Sequence, residues 1–108
     1  MAGVMVRVAL AWALACGISA AQADVQVGRA KARMCAVCHG EFGMSVLANA
    51  PNLAGQPEAY LAEQLKAYRS GKRSNEIMTV IAKPLTDSEI ADIASWFASI
   101  AVDVKPPN

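Results

Sequence analysis

Cys35-Ala36-Val37-Cys38-His39 is the stretch on which the reading of the whole chain depends. A Cys-x-x-Cys-His run is the attachment site of a c-type haem, in which two thiols bond to the porphyrin vinyl groups and the adjacent imidazole ligates the iron. The spacing has a physical origin. Two sulfurs must meet two vinyls on one porphyrin edge while the turn that carries them presents His39 to the metal. The sequence therefore predicts one covalent haem c held by Cys35 and Cys38, with His39 as an iron ligand.

Two other chemistries compete for the same residues. A zinc site normally takes four Cys, His or carboxylate ligands in tetrahedral array. His39 is the one histidine of the chain and no cysteine follows Cys38, so zinc is short of ligands. A dithiol redox motif belongs near a βαβ pattern, with its first cysteine at a helix N-terminus that lowers the thiol pKa. Here the motif ends a helix-like segment and nothing around it alternates like a strand.

Working outward, the segment before the motif reads as an export signal. Arg7 precedes the apolar run Val8-Ala9-Leu10-Ala11-Trp12-Ala13-Leu14-Ala15, and small residues lead to Ala21-Gln22-Ala23. That is the positive start, short apolar core and A-x-A exit of a secretory signal peptide. The run is well short of the ~20 residues that a spanning helix needs, which argues against a retained membrane anchor. Lipoprotein processing at Cys16 is a further option, disfavoured by Ala13 three residues before it and by the cleaner A-x-A site downstream. The expected organisation is a signal peptide over residues 1–23 and one domain over residues 24–108, located in the periplasm. Removing 23 of the 108 residues leaves 85.

Removal of that signal also settles charge and cysteine usage. With Arg7 gone, nine Lys and Arg face nine Asp and Glu, so no overall charge argues for nucleic acid or an anionic membrane as partner. Cys16 leaves with the signal and only the motif pair remains. In an oxidising compartment a lone close pair would usually form a disulfide, but His39 directly after it favours haem. A chain of this size buries a lower fraction of its surface than a larger domain does, and a bound haem would add apolar core.

Three helical segments stand out. The first runs from about Val25 to Cys38, with Val27, Ala30, Met34 and Val37 as a core-facing stripe. The second starts at Pro57-Glu58, where proline at the first helical position and a carboxylate in the first turn suit an N-terminus. It ends before Gly71 and buries Leu61, Leu65 and Tyr68. The third opens with a capping box, Thr86 with Glu89, and aligns Ile90, Ile93, Ala94 and Phe97. A loop from Gly40 to Gln56 and a polar stretch from Gly71 to Pro84 connect them, and the tail from Val104 to Asn108 reads as a frayed end. The fold class is all-α.

In this order the residues resemble a class I c-type cytochrome, of the small bacterial cytochrome c-553 or cytochrome c4-domain type. The resemblance covers essentially the whole chain after the signal. It rests on Gly28, Cys35-Ala36-Val37-Cys38-His39-Gly40, Pro51-Asn52-Leu53-Ala54-Gly55-Gln56, Tyr60-Leu61, Gln64-Leu65 and Gly71-Lys72-Arg73. It continues through Met78 with Ala82 and Leu85 behind it, and ends in Ile93-Ala94-Ser95-Trp96.

The resemblance implies a small fold of three main helices and loops wrapped around one haem, with iron held between a histidine and a methionine. Met1 and Met5 leave with the signal, Met34 shares the short haem helix, and Met44 lies only five residues past His39. Met78 alone has enough intervening chain to reach the opposite face, so His39 and Met78 are the implied axial ligands. The resemblance also implies that the Pro51 carbonyl accepts a hydrogen bond from the His39 imidazole, and that Gly28 lets the first and last helices approach, with Trp96 as aromatic partner. Tyr60, Gln64 and Arg73 are its candidates for the haem edge or propionates.

With both axial positions filled, the implied task is transfer of single electrons between redox protein partners by Fe(II)/Fe(III) cycling, with no catalytic residues and no activity as an enzyme. The alternative is a haem-bearing electron-transfer subunit of a dehydrogenase or other oxidoreductase complex. Independent peroxidase chemistry is disfavoured, because no second histidine supplies a distal acid-base group.

Overall fold

The computed structural model describes residue 3 and residues 22–108. The expected signal peptide, and Cys16 within it, lie outside the described residues apart from Gly3, Gln22 and Ala23. Five helices follow in order: α1 (Val25–Lys31), α2 (Arg33–His39), α3 (Glu58–Ser70), α4 (Met78–Ala82) and α5 (Asp87–Ala98). Among the described residues there is no strand, and no helix is long and apolar enough to cross a membrane.

The organising helix is α5. Thr86 Oγ1 accepts the Glu89 amide at 3.1 Å, and Glu89 Oε2 accepts the Thr86 amide at 3.0 Å, so the expected capping box closes. Ile90, Ile93, Ala94 and Phe97 are buried as the sequence predicts, and Asp92, Ser95 and Trp96 join them. Complete burial of Ile90 and Phe97 contributes roughly 1.5–3 kcal/mol each. α1 and α3 both pack on α5, and α3 also carries α4.

α3 begins one residue later than expected, with Pro57 as its N-cap. Leu61 is buried and Leu65 and Tyr68 pack against the core, as predicted. Gly71 ends the helix at φ +83°, a left-handed conformation that costs glycine little.

Three expectations are corrected. The first helical segment is two helices, because Ala32 sits in a turn geometry at φ −68°, ψ −6°. There the Cys35 amide bonds only three residues back, to the Ala32 carbonyl at 2.9 Å. The stripe of Val27, Ala30, Met34 and Val37 does not face the core: all four are exposed. The inward face is Val25, Gly28, Ala32, Cys35 and His39, at spacings of three and four. The reason lies at Gly28, where a methyl group would collide with the Asp92 carbonyl oxygen and come within 3.1 Å of Trp96 Cβ. Backbone meets backbone there, so the face with the smallest side chains turns inward. Finally, the stretch from Gly71 to Pro84 is not all loop. It contains α4, whose first amides are capped by Asn75: its Oδ1 accepts from the amides of Ile77 and Met78, each at 3.0 Å.

Candidate functional site

Cys35, Cys38 and His39 share α2, a helix that packs on α1 and on no other helix. It stops at Gly40, whose φ of +81° reverses the chain. The following loop then folds back on itself. The Leu53 and Ala54 amides both donate to the Gly43 carbonyl, at 2.7 and 3.1 Å. Asn52 Oδ1 accepts the Ser45 amide at 2.7 Å, and Ser45 Oγ donates to the Cys38 carbonyl at 3.1 Å. The loop is thereby clasped to the end of α2, and Gly55 anchors its far end to α5 by donating to the Phe97 carbonyl at 2.9 Å.

This clasp delivers Pro51 to His39. The imidazole is 7% exposed, and its Nδ1 donates to the Pro51 carbonyl at 2.8 Å. A carbonyl can only accept, so Nδ1 carries the proton and Nε2 is left with its lone pair. That tautomer and a fixed ring are what a metal-ligating histidine requires.

The two cysteines are free thiols. Burial pushes the Cys35 thiol up to about 11, because the charged thiolate would lose its hydration. A redox-active dithiol needs the opposite, a lowered pKa on an accessible sulfur. Among the described residues no cluster of three or more His, Cys, Asp or Glu could hold a metal ion by itself, which leaves the zinc reading without ligands.

The donor set and its surroundings do fit a haem. Two thiols and an imidazole stand within five residues, and large apolar side chains lie exposed on α2, on the clasped loop and on α4. Val37 is 75% exposed between the cysteines, Val46 is 69% exposed on the clasped loop, and Val80 is 69% exposed on α4. Met44, Leu47 and Ile77 are exposed on the same segments. A flat apolar macrocycle is a group such surfaces would cover.

Met78 opens α4 and is half-buried. α4 packs on α3, so His39 and Met78 stand on separate helices, α2 and α4. Gln64 and Arg73 do meet, Arg73 Nη1 donating to Gln64 Oε1 at 2.7 Å while the guanidinium lies 4.7 Å from the Tyr68 ring centre. Tyr60 is exposed. The Ser45–Asn52 clasp and the Asn75 cap were not singled out in the sequence. Asn75, Met78, Ile81, Ala82 and Leu85, at spacings of three and four, carry the signal that could have found α4.

Comparison with known proteins places this geometry among relatives. A family model for cytochrome c matches residues 27–101. Cytochrome c4 of Pseudomonas aeruginosa is 43% identical over 94 residues, covering 85% of this chain and 47% of the relative. Cytochrome c-554(548) of Halomonas halodenitrificans is 40% identical over 79 residues, covering 70% of this chain and 95% of the relative. The crystal structure of reduced recombinant cytochrome c4 from Pseudomonas stutzeri superposes with a TM-score of 0.70 at 36% identity, covering 76% of this chain and 48% of that one. The chain thus spans about half the length of the cytochrome c4 proteins it matches.

Proposed function

The chain belongs to the class I cytochrome c family, and from that premise we propose that it is a periplasmic monohaem electron carrier with no catalytic activity of its own. Haem bound at this site would supply a one-electron Fe(III)/Fe(II) couple. Everything else is the work of the chain's own residues.

The observation that carries the reading is the His39–Pro51 hydrogen bond beside Cys35 and Cys38. The two thiols would tether the group covalently, which keeps it in place in an exported protein. The Pro51 carbonyl holds the imidazole in one tautomer and makes Nε2 a better donor. Met78, on α4, would hold the iron together with His39, and a soft thioether favours the reduced metal. Were His39 and Met78 both to hold the iron, the protein would leave no position for peroxide or O₂, and the chain has no second histidine to move protons for such a substrate. Redox proteins, as donor and acceptor, are the partners this chemistry calls for.

Intact mass of the exported protein tests the covalent claim: one haem above the processed polypeptide is expected, with the increment lost when Cys35 and Cys38 are both changed to Ser. Stopped-flow mixing tests the activity. The reduced protein should give up one electron per chain to a one-electron acceptor and show no turnover with peroxide. A bare polypeptide mass, or sustained peroxide turnover, would overturn the reading.

A further inference from the structure

Asp92 is buried on α5, at the point where α5 crosses α1. Among the described residues no basic side chain forms an ion pair with it. Its Oδ1 instead accepts the backbone amide of Asp24 at 2.7 Å. Asp24 is the N-cap of α1, and its own side chain accepts the amides of Gln26 and Val27 at 2.9 and 3.0 Å. In the uncut chain a buried carboxylate is therefore opposed by a neutral amide, a costly arrangement for a charge removed from water.

Asp24 is also the residue that follows the A-x-A exit, Ala21-Gln22-Ala23. We propose that cleavage between Ala23 and Asp24 completes an ion pair, in which the new α-ammonium of Asp24 binds the Asp92 carboxylate and locks α1 onto α5. The inference rests on the export reading of residues 1–23. Hydrolysis by an export peptidase adds water across the peptide bond: the Ala23 carbonyl carbon takes the hydroxyl, and the Asp24 nitrogen leaves as an amine that is protonated at neutral pH. The nitrogen already lies at hydrogen-bond distance from its counter-charge, so no rearrangement is needed. An ammonium at a helix N-terminus is repelled by the positive end of the macrodipole. α1 has no acidic residue in its first turn, so the Asp24 and Asp92 carboxylates are the groups that offset this repulsion. The device is specific to one frame, because cleavage one or two residues earlier leaves a neutral amide at Asp24.

The test has two arms, both on haem-loaded protein. N-terminal sequencing of the exported protein should begin at Asp24. Separately, protein cut in vitro from an engineered leader is prepared to begin at Asp24 or at Ala23, each with Asp92 and with the isosteric Asp92→Asn. The α-amino pKa of the Asp24 form, read by NMR titration, should lie about one unit above that of its Asp92→Asn counterpart. The extra Ala23 should lower the thermal midpoint by about 4 °C in the Asp92 protein and leave it unchanged in Asp92→Asn. An N-terminus other than Asp24 overturns the processing step, and equal midpoints with an unshifted α-amino group overturn the pair. Neither result touches the haem reading, which stands or falls on the intact mass.

Discussion

At the scale of single residues, the two glycines Gly28 and Gly71 do different jobs and should fail differently. Gly28 has ordinary helical backbone but no room, since a Cβ there meets the Asp92 carbonyl and Trp96 Cβ. Gly71 has open space around it but φ at +83°. Gly28→Ala must push α1 off α5 and should cost about 1–3 kcal/mol in chemical denaturation, the range for overpacking a core. Gly71→Ala should cost only the local strain of a left-handed residue, about 1 kcal/mol. Equal losses would mean that the α1–α5 contact is not as close as described. The sequence marked Gly28 and its partner Trp96 correctly, but it set Val27, Met34 and Val37 toward the core. Apolar character alone misleads where a backbone contact chooses the inward face.

At the scale of elements, α5 was the most legible because its start is spelled by local chemistry and its face by an unbroken apolar stripe. Thr86→Ala removes the cap and should destabilise the protein by about 1 kcal/mol, read as a shift in denaturation midpoint. Glu89 links this cap to α1 through its Lys31 ion pair at 2.8 Å. The Lys31 hydrogen bond, then the Thr86 amide, hold the Glu89 carboxyl below its ordinary range, so the folded state binds this proton less readily than the unfolded one. Its contribution is present above the unfolded glutamate pKa of about 4.3 and is lost as pH falls through the lower folded value. Acid titration of stability should therefore be shallower in Glu89→Gln, and an unchanged slope would show that the pair adds nothing measurable. The break at Ala32 was not legible, since alanine is an excellent helix former, and α4, a five-residue helix held by one asparagine and its packing on α3, left only a short apolar spacing as its signal.

At the scale of the whole molecule, the Cys35-Ala36-Val37-Cys38-His39 motif stood out at a glance, because three bonds to one flat group would leave little freedom in spacing. Its support was less so. Pro51 entered through resemblance, and the hydrogen bonds from Ser45, Leu53 and Ala54 that carry it to His39 have no signature in composition or period. Met78 is the residue on which the electron-carrier proposal depends, because the chain has no second histidine to hold the other side of a haem iron. Its helix is capped by Asn75 and braced on α3. The decisive measurement is the near-infrared spectrum of the ferric, haem-loaded protein. The account predicts the weak sulfur-to-iron band in the wild type and in Met44→Ala, and its loss in Met78→Ala together with a lowered reduction potential. A band that survives in Met78→Ala, or a wild type that lacks it and binds added ligands readily, would contradict the account.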